Sequence, residues 1–334
     1  MREDRIDFVN GVGILFVVLG HYGSYISTND WFTWIWSWHM PLFFLTSGYL
    51  FYKKEDGYFL HGYANYILKN VKSILRPYLI FALISILLKE VMSRGYGATS
   101  RWMYYLKAII LGGGYLEKIN LPLWFLELFF ITKICYYLLR YLKRKSGVLY
   151  GILCLIIFVG TIPYQSMVTG RPAFHINVLP AGLGFMIMGS FFAEMEERRQ
   201  VLYYTKDGSC KKEIYTWILM MGGVFISYFS RGNIASIENL LYYIGAAATV
   251  LGIYCFSEGN SFKLVNLWGK ESLIFLGLHG LLGAFFKNYV EKFILQGWNG
   301  FLKNFILVGI QMMILTGIAY TYRRIISVFN KERR

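Results

Sequence analysis

The chain has 334 residues, of which 56% are hydrophobic and only 16% charged. Soluble domains carry about a quarter charged residues, so the composition excludes an ordinary soluble fold and indicates a polytopic membrane protein. The net charge of +15 does not signal nucleic acid, because the cations cluster in short segments between apolar runs, as they do in cytoplasmic loops.

Apolar windows predict about ten helices, at 8–27, 38–53, 74–93, 121–140, 148–163, 178–195, 214–230, 239–257, 272–289 and 304–322. The first run carries Glu3, Asp4 and Asp7 near its start and no small-residue cleavage site behind it, so it is expected to remain as the first span. Trp31, Trp34, Trp36 and Trp38 crowd the first hairpin loop, as interfacial aromatics do. Arg101 to Leu111 is amphipathic and is expected to lie on the membrane surface, with Gly112-Gly113-Gly114 as the turn into the fourth helix. Neither a fixed-period repeat nor room for a soluble domain is visible, which makes residues 1–334 one integral-membrane domain.

Placing the amino terminus in the cytoplasm puts roughly two-thirds of the 34 Lys and Arg on that side. The expected fold class is therefore an all-α polytopic membrane protein, one bundle of about ten transmembrane helices with both termini cytoplasmic. Its expected location is the cell membrane, as a multi-pass protein.

The stretch from Asp7 to His21, DFVNGVGILFVVLGH, is apolar enough to enter a bilayer yet ends in a histidine. Ionisable residues inside spans are costly and mark a cavity or a partner. Asn10 and His21 are eleven residues apart, so they share nearly one helix face at a separation of about 16 Å along the axis. His39 opens the second span beside Met40-Pro41, where proline suits a first helical turn. Ser47-Gly48 follows, a pair that lets helices approach closely. A short loop between the two spans would let His21 and His39 meet in one outward-leaning cavity.

Arg76-Pro77 at the start of the third helix offers a fixed cation suited to phosphate; its bland reading is a snorkelling arginine. The fourth helix, PLWFLELFF and onward, holds Trp124, Glu127 and Lys133. Glu127 and Lys133 are six residues apart and cannot pair on one helix face, so each needs a partner elsewhere or a wet cavity. His279 lies seven residues past Ser272, about 10 Å in from the cytoplasmic side. A lone histidine in such a helix is more often a hydrogen-bonded interhelical residue than a catalyst. Cys135, Cys154, Cys210 and Cys255 show no paired metal spacing and read as buried apolar side chains. No GxxxxGK[ST] cradle, no HExxH pair and no clustered His/Cys site occurs, so no nucleotide-hydrolysing loop and no metal is expected.

Six blocks in order, RIDFVNGVGILFVVLGH (5–21), WHMPLFFLTSGYLF (38–51), LRPYLIF (75–81), PLWFLELFF (122–130), LPAGLGFMIMG (179–189) and GKESLIFLGLH (269–279), resemble the acyltransferase-3 family of integral-membrane acyltransferases. The likeness is strongest to the branch close to fucose 4-O-acetylase-like proteins. The resemblance implies transfer of an acyl group, usually acetyl from acetyl-CoA, to a hydroxyl of a carbohydrate or lipid-linked glycan. His21 falls where the family has its essential first-helix histidine. The family's basic residue eleven positions earlier is Asn10 here, a departure that Arg5 or Arg76 would have to cover. On this reading the CoA nucleotide stays at the cytoplasmic face near Arg5, Asn10 and Arg76. His21 is the general base, and His39 orients it or stabilises the oxyanion. Ser47, Trp124, Glu127 and His279 are then expected on the acceptor side. The rival from another class is a multi-pass transporter or exporter of a glycan or small polar solute, which also uses intramembrane His, Glu and Lys. Transporters of this size often show two related halves, and no such symmetry is visible.

Overall fold

The computed structural model describes residues 4–23, 30–92, 98–168, 170–202, 209–230, 232–257, 262–286, 290 and 300–332. The helices are α1 (Asp4–Gly23), α2 (Asp30–Lys53), α3 (Glu55–His61), α4 (Tyr63–Asn70), α5 (Arg76–Met92), α6 (Ala98–Leu111), α7 (Glu117–Asn120) and α8 (Trp124–Lys145). They continue as α9 (Gly147–Met167), α10 (Leu179–Leu202), α11 (Ser209–Ser230), α12 (Leu241–Phe256), α13 (Lys263–Lys270), α14 (Ser272–Phe285) and α15 (Gly300–Glu332). One antiparallel hairpin, β1 (Gly232–Asn233) and β2 (Ser236–Ile237), joins α11 to α12.

Five helical stretches are long and apolar enough to cross a membrane: Tyr63–Val91, Leu121–Lys145, Gly147–Met167, Ala173–Arg198 and Leu302–Ser327. Their outer faces carry rows of exposed apolar side chains, such as Leu79, Leu83 and Leu87 on α5 and Val148, Leu155 and Val159 on α9. Water would penalise such rows and lipid does not. The chain is an all-α membrane protein.

Two elements differ from the sequence expectation. α2 begins at Asp30, so the tryptophan-rich segment expected as a loop is the first part of a helix. Trp34 and Trp38 pack against Phe16 of α1, with ring centroids 5.9 and 4.9 Å apart; the side chain of Trp31 lies outside the described residues, as does that of Cys210. Arg76-Pro77 opens α5, as expected, but α5 continues an earlier helical path. The helical path runs from Tyr63 to Val91 through a wide π turn at Val71–Leu75, which accommodates the hydrogen bond that Pro77 cannot donate. The last residues of the expected ninth span, 287–289, lie outside the described residues. As expected, α6 is amphipathic, burying Tyr105 and Ala108 while Trp102, Met103, Leu106 and Ile110 stay exposed.

Close helix crossings fix the bundle. A β-carbon on Gly48 would lie 2.0 Å from the Met186 carbonyl oxygen, and one on Gly189 would lie 1.9 Å from that of Leu45, so α2 and α10 meet backbone to backbone. Ser190 donates to the Gly48 carbonyl at 2.8 Å, and Tyr136 of α8 donates to Ser190 at 2.5 Å. α13 packs antiparallel along α1, with Gly269 against the Asp7 carbonyl and Gly11 against that of Val265.

Ion pairs gather at one end of the bundle. Lys270 reaches Asp4 at 3.3 Å and Asp7 at 3.7 Å, and Arg323 binds Glu271 at 2.6 Å. The first turn of α1 and the late turns of α15 therefore lie at the same end. Arg140–Glu55 and Arg144–Asp56 tie the end of α8 to α3, and Lys143–Glu194 ties it to α10.

Candidate functional site

Three helices each bring one imidazole to a common region. His21 stands in the last turn of α1, His39 in α2 and His279 in α14. The rings of His21 and His279 have centroids 5.0 Å apart at 48°, and His39 lies within electrostatic reach of both. His39 and His279 are buried, while His21 is half-buried.

Local helix geometry sets the chemistry of the two buried rings. Nδ1 of His39 lies 2.7 Å from the Ile35 carbonyl oxygen, and Nδ1 of His279 lies 2.9 Å from that of Phe275. A carbonyl oxygen only accepts, so each Nδ1 carries the proton and each Nε2 keeps its lone pair. The Nε2 of His279 is buried and has no hydrogen-bond partner among the described residues. Gln311 of α15 donates to the His279 carbonyl at 2.6 Å, and Asn120 donates to the Gly277 carbonyl at 2.9 Å, which holds α14 in register.

A pocket of about 250 Å³ lies along the same three helices. Asn10 and Ile14 line it from α1, Thr46, Ser47 and Leu50 from α2, and Leu273 and Leu276 from α14. α8 closes the far side with Phe129 and Lys133, and the π turn adds Ser73 and Ile74. Leu276 is one turn from His279, Phe43 is one turn from His39, and Ile14 is two turns from His21. Each helix that carries an imidazole thus also walls the pocket.

Of the residues expected at the site, His21, His39 and His279 come together, and Asn10 and Ser47 share the pocket. His279 meets His21 although its own helix starts only seven residues earlier, because α13 turns back along α1 and lets α14 start level with Asn10. Asn10 is half-buried and its side-chain carbonyl accepts from Thr46 at 3.0 Å. Arg5 is drawn elsewhere: it lies 3.9 Å from Glu196, whose carboxylate also accepts from Tyr49 at 2.6 Å and Tyr254 at 2.9 Å. Arg76 is exposed just past the π turn. Trp124 packs on His175 with tilted rings, centroids 4.9 Å apart. Glu127 is 3% exposed, accepts a hydrogen bond from Tyr78 and lies against the glycine turn, where a β-carbon on Gly112 would meet its carboxylate; it does not line the pocket.

Thr46 and Ser73 have no signal in the sequence as pocket residues, whereas Lys133, expected to need a partner elsewhere or a wet cavity, lines the pocket. Among the described residues no three His, Cys, Asp or Glu side chains are disposed to hold a metal ion. The arrangement offers acid–base chemistry by imidazole, one or two helical turns from a part-polar pocket.

No characterised protein and no solved structure is detectably similar to the chain. A family model described as an acyltransferase domain does match it, over residues 3–321. With nearly every residue covered, including all three histidines, the chain belongs to the acyltransferase-3 family of membrane acyltransferases.

Proposed function

We propose that the protein is an O-acyltransferase of the cell membrane. It moves an acyl group, acetyl in the simplest case, from cytoplasmic acyl-CoA to a hydroxyl of a cell-surface or lipid-linked carbohydrate. A sugar hydroxyl is the acceptor that the fucose 4-O-acetylase-like branch would use. The observation that carries this reading is the meeting of His21 with His279, 5.0 Å apart, one or two turns beyond a pocket shared by the same helices.

His21 takes the proton from the acceptor hydroxyl as the oxygen attacks the thioester carbonyl carbon. The carbon–sulfur bond then breaks, and the departing thiolate recovers the proton from the His21 imidazolium. Neutral imidazole suits this role because its ordinary pKa lies near working pH. His279 packs its ring against the base at 5.0 Å, and His39 lies within electrostatic reach of both from α2. The hydroxyls of Thr46 and Ser47 line the approach.

The test is CoA release from acetyl-CoA by purified wild-type and His21→Gln protein, together with mass spectrometry of surface glycans. Loss of the base is expected to lower turnover by about 10²- to 10⁴-fold and to remove the O-acyl mass increment, at unchanged membrane abundance. Near-normal turnover in His21→Gln would reject His21 as the base. A wild-type protein that releases no CoA but moves a glycan across vesicles would replace the transferase with a carrier.

A further inference from the structure

Several cations at the ion-paired end of the bundle are answered by carboxylates: Arg140 by Glu55, Arg144 by Asp56, Lys143 by Glu194 and Lys270 by Asp4. Lys133 is different. It lines the pocket on α8, lies over the Phe129 ring at 5.3 Å, and has no carboxylate partner among the described residues. Snorkelling does not explain it, because Lys133 is twelve residues, about 18 Å of helix, from the end of α8 at Lys145.

Its electrostatic neighbours make matters worse, since Lys69 and Lys54 both repel it. Those two lysines line a second pocket, of about 350 Å³, beside Tyr58 and His61, where Lys69 lies 4.9 Å from the Tyr58 ring. Lys54 and Lys69 are exposed, whereas Lys133 is half-buried among apolar side chains with both of them in electrostatic reach, which is costly for it unless an anion joins it. Distance fits a long anionic substrate. Leu50, which shares the inner pocket with Lys133, is eleven residues from His39, about 16 Å along α2, a gap that a pantetheine arm bridges.

We propose that Lys133, backed by Lys54 and Lys69, binds the phosphates of the acyl donor and is the inner cation of an anion track leading toward the histidines. The identity of the donor rests on the transferase reading above; the anion site rests on the geometry of the lysines. A lysine presents a point charge with three rotatable donors, suited to a phosphate entering along a slot.

Equilibrium binding of CoA, pantetheine and inorganic pyrophosphate to purified wild-type, Lys133→Met and Lys133→Arg protein tests the site. Expected is a CoA affinity weakened by about 10- to 100-fold in Lys133→Met, with pantetheine binding unchanged and Lys133→Arg close to wild type. Equal CoA affinity in wild type and Lys133→Met overturns the phosphate role while leaving the transferase reading intact. A parallel loss of pantetheine binding overturns it as well, because a merely structural lysine weakens both ligands alike. Lys133-dependent CoA binding without any CoA release from acetyl-CoA keeps the anion site and refutes transfer. Wild-type protein that binds neither CoA nor pyrophosphate refutes both.

Discussion

Replacing Gly48 by alanine puts the contact between α2 and α10 to a quantitative test. The added β-carbon would fall 2.0 Å from the Met186 carbonyl oxygen and 2.7 Å from its carbonyl carbon. These are backbone atoms, so no side chain can swing aside. Even a close carbon–oxygen contact needs about 3.3 Å, and the helices must part by about 1 Å to provide it. Parting them lengthens the 2.8 Å bond from Ser190 to the Gly48 carbonyl, a class of bond worth about 0.6 kcal/mol within membranes. Overpacking adds about 1–3 kcal/mol, and alanine returns about 0.5–1 kcal/mol of helix preference. The net expectation is a loss of about 1–3 kcal/mol. Gly151 on α9 is the control, because a β-carbon there meets nothing within 4 Å. Thermal unfolding of the purified protein in detergent should show Gly48→Ala melting below wild type and Gly151→Ala at or above it. Gly48→Ala melting with Gly151→Ala would refute the backbone contact.

Tyr78 and Glu127 tie α5 to α8, so Tyr78→Phe and Glu127→Leu should each cost about 1–3 kcal/mol and the double variant less than their sum. Strict additivity in a melting-temperature cycle would show that the two groups do not interact. At the other end, Arg5→Ala removes a half-exposed pair at 3.9 Å, worth at most about 1 kcal/mol. Glu196→Ala strips the acceptor from the buried Tyr49 and Tyr254 hydroxyls and should melt lower than Arg5→Ala; the opposite order would mean that the hydroxyls are satisfied without it.

Helix existence was plain in the sequence wherever an apolar run was long, because hydropathy over about twenty residues reflects burial in lipid or protein alike. Its ends were less plain. α2 starts eight residues before the predicted span, since Trp34 and Trp38 pack inward on Phe16 instead of marking an interface. Pro77 sits in the first turn of α5, where proline is expected, and what the sequence did not display is the π turn that joins α5 to the helix before it. His21 was legible as a site because a histidine ending an apolar helix is costly on its own. Its pairing with His279 was not, because periodicity fixes faces along one helix and says nothing about register between helices far apart in sequence. That register comes from α13 lying against α1 through Gly11 and Gly269. Glu127 could be read from the sequence as lining a cavity or as a structural partner, and its hydrogen bond from Tyr78 is the kind of pairing between distant helices that a sequence does not display.

Asn10 poses the remaining question, since the family likeness leads one to expect a cation there. Asn10 and Lys133 wall one pocket from α1 and α8, so the charge has a place in the same cavity on another helix. If the pocket needs a cation more than it needs a given wall, the charge should be movable. Lys133→Met removes it, and adding Asn10→Arg returns a guanidinium with five N–H donors on the opposite side. The double variant should recover at least about tenfold of the acetyl-CoA KM lost in Lys133→Met, whereas Asn10→Arg alone sets two cations in one poorly solvated space and should melt below wild type. Steady-state CoA release, with melting temperature as the check on folding, decides the matter. A double variant that melts like Lys133→Met yet keeps its KM would show that the position of Lys133 matters and not its charge, and the anion track would lose its inner station.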